Sequence, residues 1–189
     1  ASNCLLSGSS RLANLGPVTI SVWIYPKTTG WNNLARIYVS GTAMTFRCNA
    51  TNEVAFIIDY ATTDLSTFTN DDFIVLNTWQ NIIVTWDGSA TASNIHIYKN
   101  AIEATSYTQT NGVGARANDA ASTVRISNTS NAFDGFIKNF KIWKRVLTIN
   151  EILEDYVNPY GMINNPRRND YYLWAAAAAV ATNKYRTLM

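Results

Sequence analysis

Charge is scarce in this 189-residue chain: Asp, Glu, Lys and Arg make up 15% of it, against roughly a quarter in ordinary soluble domains. The formal net charge is +2 and the basic residues are spread along the chain, which excludes the basic stripe of a nucleic-acid binder. Histidine occurs once, at His96, so a centre built on several imidazoles is excluded. No apolar run approaches the ~20 residues of a membrane-spanning helix. Neither G-x-x-x-x-G-K nor G-x-G-x-x-G occurs, which leaves a nucleotide site without support. The two cysteines, Cys4 and Cys48, form no C-x-x-C pair, which argues against zinc. No strand carries acids alternating as E-x-D-x-x-E, the arrangement that would flank a glycosidic bond, so a glycosidase is disfavoured. No secretory leader is visible, and the opening at Ala1 rather than Met leads us to expect processing or a larger parent chain.

What the chain has is 47% hydrophobic residues, enough for a real core, and 12% aromatics, including six Trp and ten Tyr. Its polar share lies in Thr, Ser and Asn, residues of turns and of solvent-facing strand positions. Short segments of period-two alternation recur between polar turns. In Val18–Tyr25, Val18, Ile20, Val22 and Ile24 share one face, and Thr19, Ser21, Trp23 and Tyr25 the other. Further strands are expected at Ala35–Ser40, Met44–Asn49, Glu53–Tyr60, Phe73–Leu76 and Trp79–Trp86. The last ends at Asp87-Gly88, a turn signal. Asn94–Lys99 and Ile102–Thr108 read as a hairpin through Asn100-Ala101, and Ser122–Ser127 and Phe133–Trp143 complete about ten strands. The fold class is all-β: a two-sheet antiparallel jelly-roll sandwich with one short helix near the C-terminal end.

Thr148-Ile149-Asn150-Glu151 has the form of a capping box, and the helix it starts runs to about Tyr156, where Asn158-Pro159 and Gly161 stop it. Ile149, Ile152 and Leu153 would give that helix an apolar stripe, and Glu151, Glu154 and Asp155 read as cap and solvated face. We expect one domain over residues 1–161 and a tail or docking segment over 162–189. In the tail, Arg167, Arg168, Tyr171, Tyr172 and Trp174 mix basic and aromatic character suited to assembly on a partner. The five alanines from Ala175 to Ala179 suit a helical start.

Three segments carry a family resemblance. Cys4-Leu5-Leu6-Ser7-Gly8-Ser9-Ser10 followed by Val18-Thr19-Ile20-Ser21-Val22-Trp23-Ile24 resembles the opening of laminin-G-like (concanavalin-A-like) jelly rolls. Asn77-Thr78-Trp79-Gln80-Asn81-Ile82-Ile83-Val84-Thr85-Trp86-Asp87-Gly88, with Ile95-His96-Ile97-Tyr98-Lys99-Asn100, is similar to the family hairpin W-x-x-V-x-V-T-x-D-G … L-Y-x-N. Phe133–Ile152 resembles the closing F-x-G-x-I-x-x-V-x-I-W-x-R-x-L-S-x-x-E-I. The order and spacing agree over about residues 3–157. In that last block Phe140 and Ile142 can point inward and Trp143 can cover the core edge, a structural role.

The resemblance implies a non-catalytic, lectin-like surface module, extracellular or on a virus particle, recognising glycans or surface partners. The alternative is a structural decoration or fibre subunit that packs against copies of itself or virion neighbours through its tail. For sugar contact the chemistry needed is flat aromatic faces beside amides and hydroxyls. Trp31, in a Thr/Asn loop, has it, and so does the face with Trp23, Tyr25, His96 and Tyr98. Without a second ligand or a nucleophile nearby, His96 reads as an outward strand residue. Relatives hold calcium with loop carboxylates, for which Asp87, Asn94 and Asp134 are the nearest candidates. Asp87 and Asp134 each precede glycine and equally read as turn residues. Where relatives carry acids in the closing motif this chain has Lys138 and Asn139, so we expect no cofactor. Cys4 and Cys48 can pair or stand as small buried hydrophobes. Asn49-Ala50-Thr51 and Asn128-Thr129-Ser130 match the glycosylation pattern, as chance matches would in a chain so rich in Asn and Thr.

Overall fold

Alternating strands with one oily face must bury that face against a second sheet. The computed structural model describes residues 4–6, 14–28, 35–40, 43–120, 124–127 and 133–161. Among them are twelve strands and one α-helix: β1 Cys4–Leu6, β2 Val18–Pro26, β3 Ala35–Ser40, β4 Met44–Cys48, β5 Val54–Ile58, β6 Leu65–Thr69, β7 Gln80–Trp86, β8 Ile95–Lys99, β9 Ile102–Glu103, β10 Tyr107–Thr110, β11 Val124–Ile126, β12 Gly135–Trp143 and α1 Ile149–Val157. They form a seven-stranded sheet, β1-β11-β3-β4-β5-β6-β10, and a five-stranded sheet, β12-β2-β7-β8-β9. Every strand pairing is antiparallel. This is the expected two-sheet sandwich.

The core lies between the sheets. Val18, Ile20, Val22 and Ile24 from β2, with Ile82, Val84 and Trp86 from β7, meet Met44, Phe46, Phe56 and Ile58 of the other sheet. Phe56 and Trp86 pack at 6.4 Å between ring centroids. The Trp86 indole N–H is satisfied by the Ser89 carbonyl at 2.7 Å.

Two expected segments differ, and one strand forms where none was expected. Phe73–Leu76 forms no strand. Phe73 and Ile74 are apolar because they are buried in a loop, which is held to another turn where the Ile74 N–H meets the Asn52 carbonyl at 2.8 Å. The strand that does form here is β6, whose inward positions Leu65, Thr67 and Thr69 are all buried. The run Ile102–Thr108 divides: β9 pairs with β8, and β10 crosses to pair with β6 in the other sheet. The β8–β9 turn does use Asn100 and Ala101, both at positive φ (53° and 64°), as a primed hairpin turn requires.

β12 carries a bulge between Lys138 and Lys141. Strict alternation from the inward Ile137 would turn Phe140 and Ile142 outward. Asn139, at φ 50°, absorbs one extra residue, so both side chains pack against the core as expected.

The chain divides into two compact units, Ala1–Ile149 and Asn150–Met189. In the second, α1 buries Glu151, Ile152 and Asp155, whereas Ile149 and Leu153 are 58% and 52% exposed. The buried face is thus turned by about one residue, ~100°, from the expected stripe. The carboxylates Glu151 and Asp155, expected on a solvated face, are buried, and each has an interaction partner.

Candidate functional site

On β2, alternation sends Trp23 and Tyr25 to the outer face of the five-stranded sheet, opposite the buried Val22 and Ile24. Pairing with β12 sets Phe136 beside Tyr25 and Lys138 beside Trp23. On the other side Ile24 pairs with Gln80, so Trp79, one residue earlier, arrives beside Tyr25. The loop before β7 is fixed by Gln80, a buried amide that donates to the Val75 carbonyl at 2.6 Å and accepts from the Val75 N–H at 3.2 Å. The Asn77 N–H closes the corner on the Pro26 carbonyl at 2.7 Å. At Gly135 any side chain is barred, since a Cβ would stand 2.0 Å from the Tyr25 carbonyl oxygen. β12 therefore lies close against β2.

The result is a triangle of rings. Tyr25 lies 5.7 Å from Trp79 and 5.9 Å from Phe136, and Trp79 stacks on Phe136 at 6.5 Å with 29° between planes. Phe136 is 53% exposed and Trp79 36%. Ammonium groups sit over these rings: Lys138 Nζ is 4.1 Å from Trp79 and 5.5 Å from Trp23, and Lys27 Nζ is 4.5 Å from Phe136. Further along β12, Lys141 Nζ lies 5.6 Å from Trp143. Such an arrangement offers flat apolar faces with cationic donors beside them.

Of the residues expected to form a sugar-binding face, Trp23 and Tyr25 belong to this corner. His96 and Tyr98 share the outer face but lie two strands away on β8, Tyr98 level with Ser21 midway along the face and His96 at its far end. His96 pairs with Thr85, which pairs with Thr19, six residues from Tyr25 on β2. At ~3.3 Å per residue that is on the order of 20 Å away. His96 Nδ1 is held by Glu103 Oε1 at 2.6 Å, and Tyr98 is 8% exposed, so it presents little surface. Burial, then the Glu103 charge, pushes the Tyr98 phenol above its ordinary range. Trp31, Arg167, Arg168, Tyr171, Tyr172, Trp174 and Asn128 lie outside the described residues, as do the five alanines.

The three calcium candidates do not converge. Asp87 and Asn94 are together: Asp87 accepts from the Ser89 N–H at 2.9 Å, the Ser89 hydroxyl at 2.7 Å and the Asn94 amide at 2.7 Å. Burial pushes this carboxyl up, but the Ser89 and Asn94 hydrogen bonds outweigh it and hold its pKa below the ordinary value. Asp134 stands at the opposite end of the sheet, where its carbonyl accepts the Lys27 N–H at 2.9 Å. Among the described residues no group of three or more His, Cys, Asp or Glu side chains is placed to hold a metal ion.

Cys48 is free and buried, and burial pushes its thiol well up. Cys4 lies on β1, with β11 and β3 between it and β4. Three strand spacings are ~14 Å, against a disulfide limit near ~7 Å between Cα atoms. The Asn49 amide donates to the Glu53 carboxylate in the turn between β4 and β5.

Sequence reasoning missed Trp79, Phe136, Lys27 and Lys138 as site residues. Each lay within or beside a recognised strand. The usable signal was the β12–β2–β7 adjacency, which a single sequence does not print.

A sandwich of this topology, closed by a strand-to-helix block, defines a laminin-G-like jelly roll. The chain belongs to the concanavalin A-like lectin/glucanase superfamily, whose family description matches residues 2–153. No curated protein is significantly similar in sequence. Among solved structures it resembles the heptameric SAP-like pentraxin from Limulus polyphemus at 14% identity and TM-score 0.51, covering 75% of this chain and 70% of that one. The binding domain of botulinum neurotoxin DC, solved in complex with rat synaptotagmin II, is 13% identical with TM-score 0.60, covering 82% and 39%. The binding domain of Paraclostridial Mosquitocidal Protein 1 is 13% identical with TM-score 0.54, covering 85% and 42%. The chain thus spans about two-fifths of these toxin domains, and at such identities the likeness is one of fold. Among the described residues no helix is long and apolar enough to cross a membrane.

Proposed function

We propose that the chain is a non-catalytic recognition module that binds glycans through the aromatic corner of Trp23, Tyr25, Trp79 and Phe136, in an extracellular or virus-particle setting. The observation that carries this reading is the exposure of stacked Trp79 and Phe136 on a rigid sheet, where neither ring serves the core. Exposed contiguous aromatics on a soluble domain mark an interaction surface. The corner is held by backbone hydrogen bonds and by Gln80, so it is in place before a ligand arrives. A non-catalytic role is supported by the engaged state of Asp87 and Glu103, whose carboxylates are bonded to Ser89 and Asn94 and to His96. The setting rests on the scarcity of charge and the laminin-G-like family.

A glycan array with the wild type, a Trp79→Ala/Phe136→Ala variant and Trp31→Ala tests the reading. Base or sugar stacking on an aromatic ring is worth ~1–3 kcal/mol, so the double variant should lose about tenfold or more in affinity. An array with no bound glycan, or a double variant that binds as the wild type does, contradicts it. Matched melting temperatures confirm that the exposed substitutions leave the fold intact.

A further inference from the structure

We infer that the ligand is an acidic polysaccharide, laid along β12 on a ridge of aromatic rings and lysines. This rests on the recognition reading above and specifies its ligand class. The outer side of β12 carries Phe136, Lys138, Lys141 and Trp143 in that order, set beside Tyr25, Trp23, Ser21 and Thr19 of β2. The Asn139–Phe140 bulge keeps both lysines on one side although they are three residues apart. Without the bulge, an odd spacing would put them on opposite faces. Lys27 extends the series beyond Phe136. From Phe136 to Trp143 the ridge is on the order of 20 Å long, enough for several sugar units. Among the described residues β12 is the edge strand of its sheet; Phe136 and Lys138 are exposed on it, while Lys141 and Trp143 are half-buried and Ser21 and Thr19 beside them are buried.

The lysines decide the ligand's charge. Lys27 and Lys138 are exposed, and neither has a carboxylate within ion-pair distance among the described residues. Each ammonium is held by a ring instead, at 4.5 Å over Phe136 and 4.1 Å over Trp79. A cation resting on a ring keeps hydrogen-bond donors free for an anion. A neutral sugar would have to push the ammonium off the ring face without replacing its attraction. A carboxylate or sulfate on a sugar draws the same ammonium into a charge-assisted bond, while the sugar's apolar face meets the ring. Carboxylate and sulfate share this chemistry, and the probes below separate them.

The test uses the full chain and its Lys27→Gln/Lys138→Gln variant, with polygalacturonate, dextran sulfate, neutral dextran and phosphatidylserine vesicles as probes. The expected result is binding to one or both acidic chains, weakening steeply with added salt, and about tenfold weaker for the variant at unchanged melting temperature. Retention on polygalacturonate alone assigns a carboxylate ligand, and on dextran sulfate alone a sulfate. Equal binding to dextran and dextran sulfate overturns the inference and leaves the recognition reading standing. Acidic binding that the variant retains in full overturns the assignment to this ridge. Binding to vesicles alone, or to no probe and no arrayed glycan, overturns both.

Discussion

Tyr107 ties the two sheets together with one hydroxyl. It stands on β10 in the seven-stranded sheet, yet its oxygen accepts the Ile97 N–H at 2.9 Å and donates to the Ile97 carbonyl at 3.1 Å on β8 of the other sheet. Burial, against the pull of the Ile97 backbone, pushes its phenol up to about 12, with the charge of Glu103 adding to the rise. A phenol whose pKa is raised on folding stabilises the native state fully below its unfolded value near ~10, and that contribution fades as pH climbs toward the folded value. Tyr107→Phe should cost ~1–2 kcal/mol at neutral pH and flatten the fall of stability above pH ~10. Denaturant midpoints of both proteins from pH 7 to pH 11 check this, and identical curves would contradict it. Other single residues show why parts of the sequence misread. Thr67 and Thr69 look like loop residues, but both are buried with hydroxyls bonded to the backbone at Ala92, Val54 and Asn70. Cys4 and Cys48 both fall in strands, β1 and β4. Their separation is set by strand order, which spacing does not encode.

At the scale of elements, β12 is where pattern and structure meet. The sequence alternates cleanly to Ile137, then places Phe140 and Ile142 out of phase, and the bulge at Asn139 reconciles the two halves. The bulge is therefore legible in hindsight as a phase slip in the hydrophobic pattern. Deleting Asn139 removes the one extra residue, so regular alternation then keeps Ile137, Phe140 and Ile142 inward and Lys138 and Lys141 outward. We expect the deletion to cost less than ~1 kcal/mol, measured by chemical unfolding, and Asn139→Gly, which keeps the extra residue and suits positive φ, to cost less than ~0.5 kcal/mol. A deletion that costs as much as emptying a core position, ~2–4 kcal/mol, would contradict this account of the strand. β7 and the α1 start were legible because Asp87-Gly88 and Thr148 punctuate them. Phe73–Leu76 was not, because a buried loop and a buried strand present the same apolar residues.

For the whole molecule, the sequence carried the sandwich and the family, since three motifs in order span the matched region, residues 2–153. It carried only a third of the candidate site. Trp23 and Tyr25 were visible by alternation on one strand, whereas their neighbours Trp79, Phe136, Lys27 and Lys138 come from segments brought together by sheet order. The same order explains why His96 and Tyr98 fall elsewhere: β7 lies between β2 and β8, and His96 is in addition at the far end of the face. The central claim is that one border of the five-stranded sheet, β12 with the rings beside it, is the contact surface. The direct measurement is a titration of the isotopically labelled chain with an acidic oligosaccharide, following the indole N–H signals. Those of Trp23, Trp79 and Trp143 should move together and saturate, while that of Trp86, buried with its N–H on Ser89, stays in place. Shifts confined to residues around His96 and Glu103, with the three ridge tryptophans silent, would contradict it.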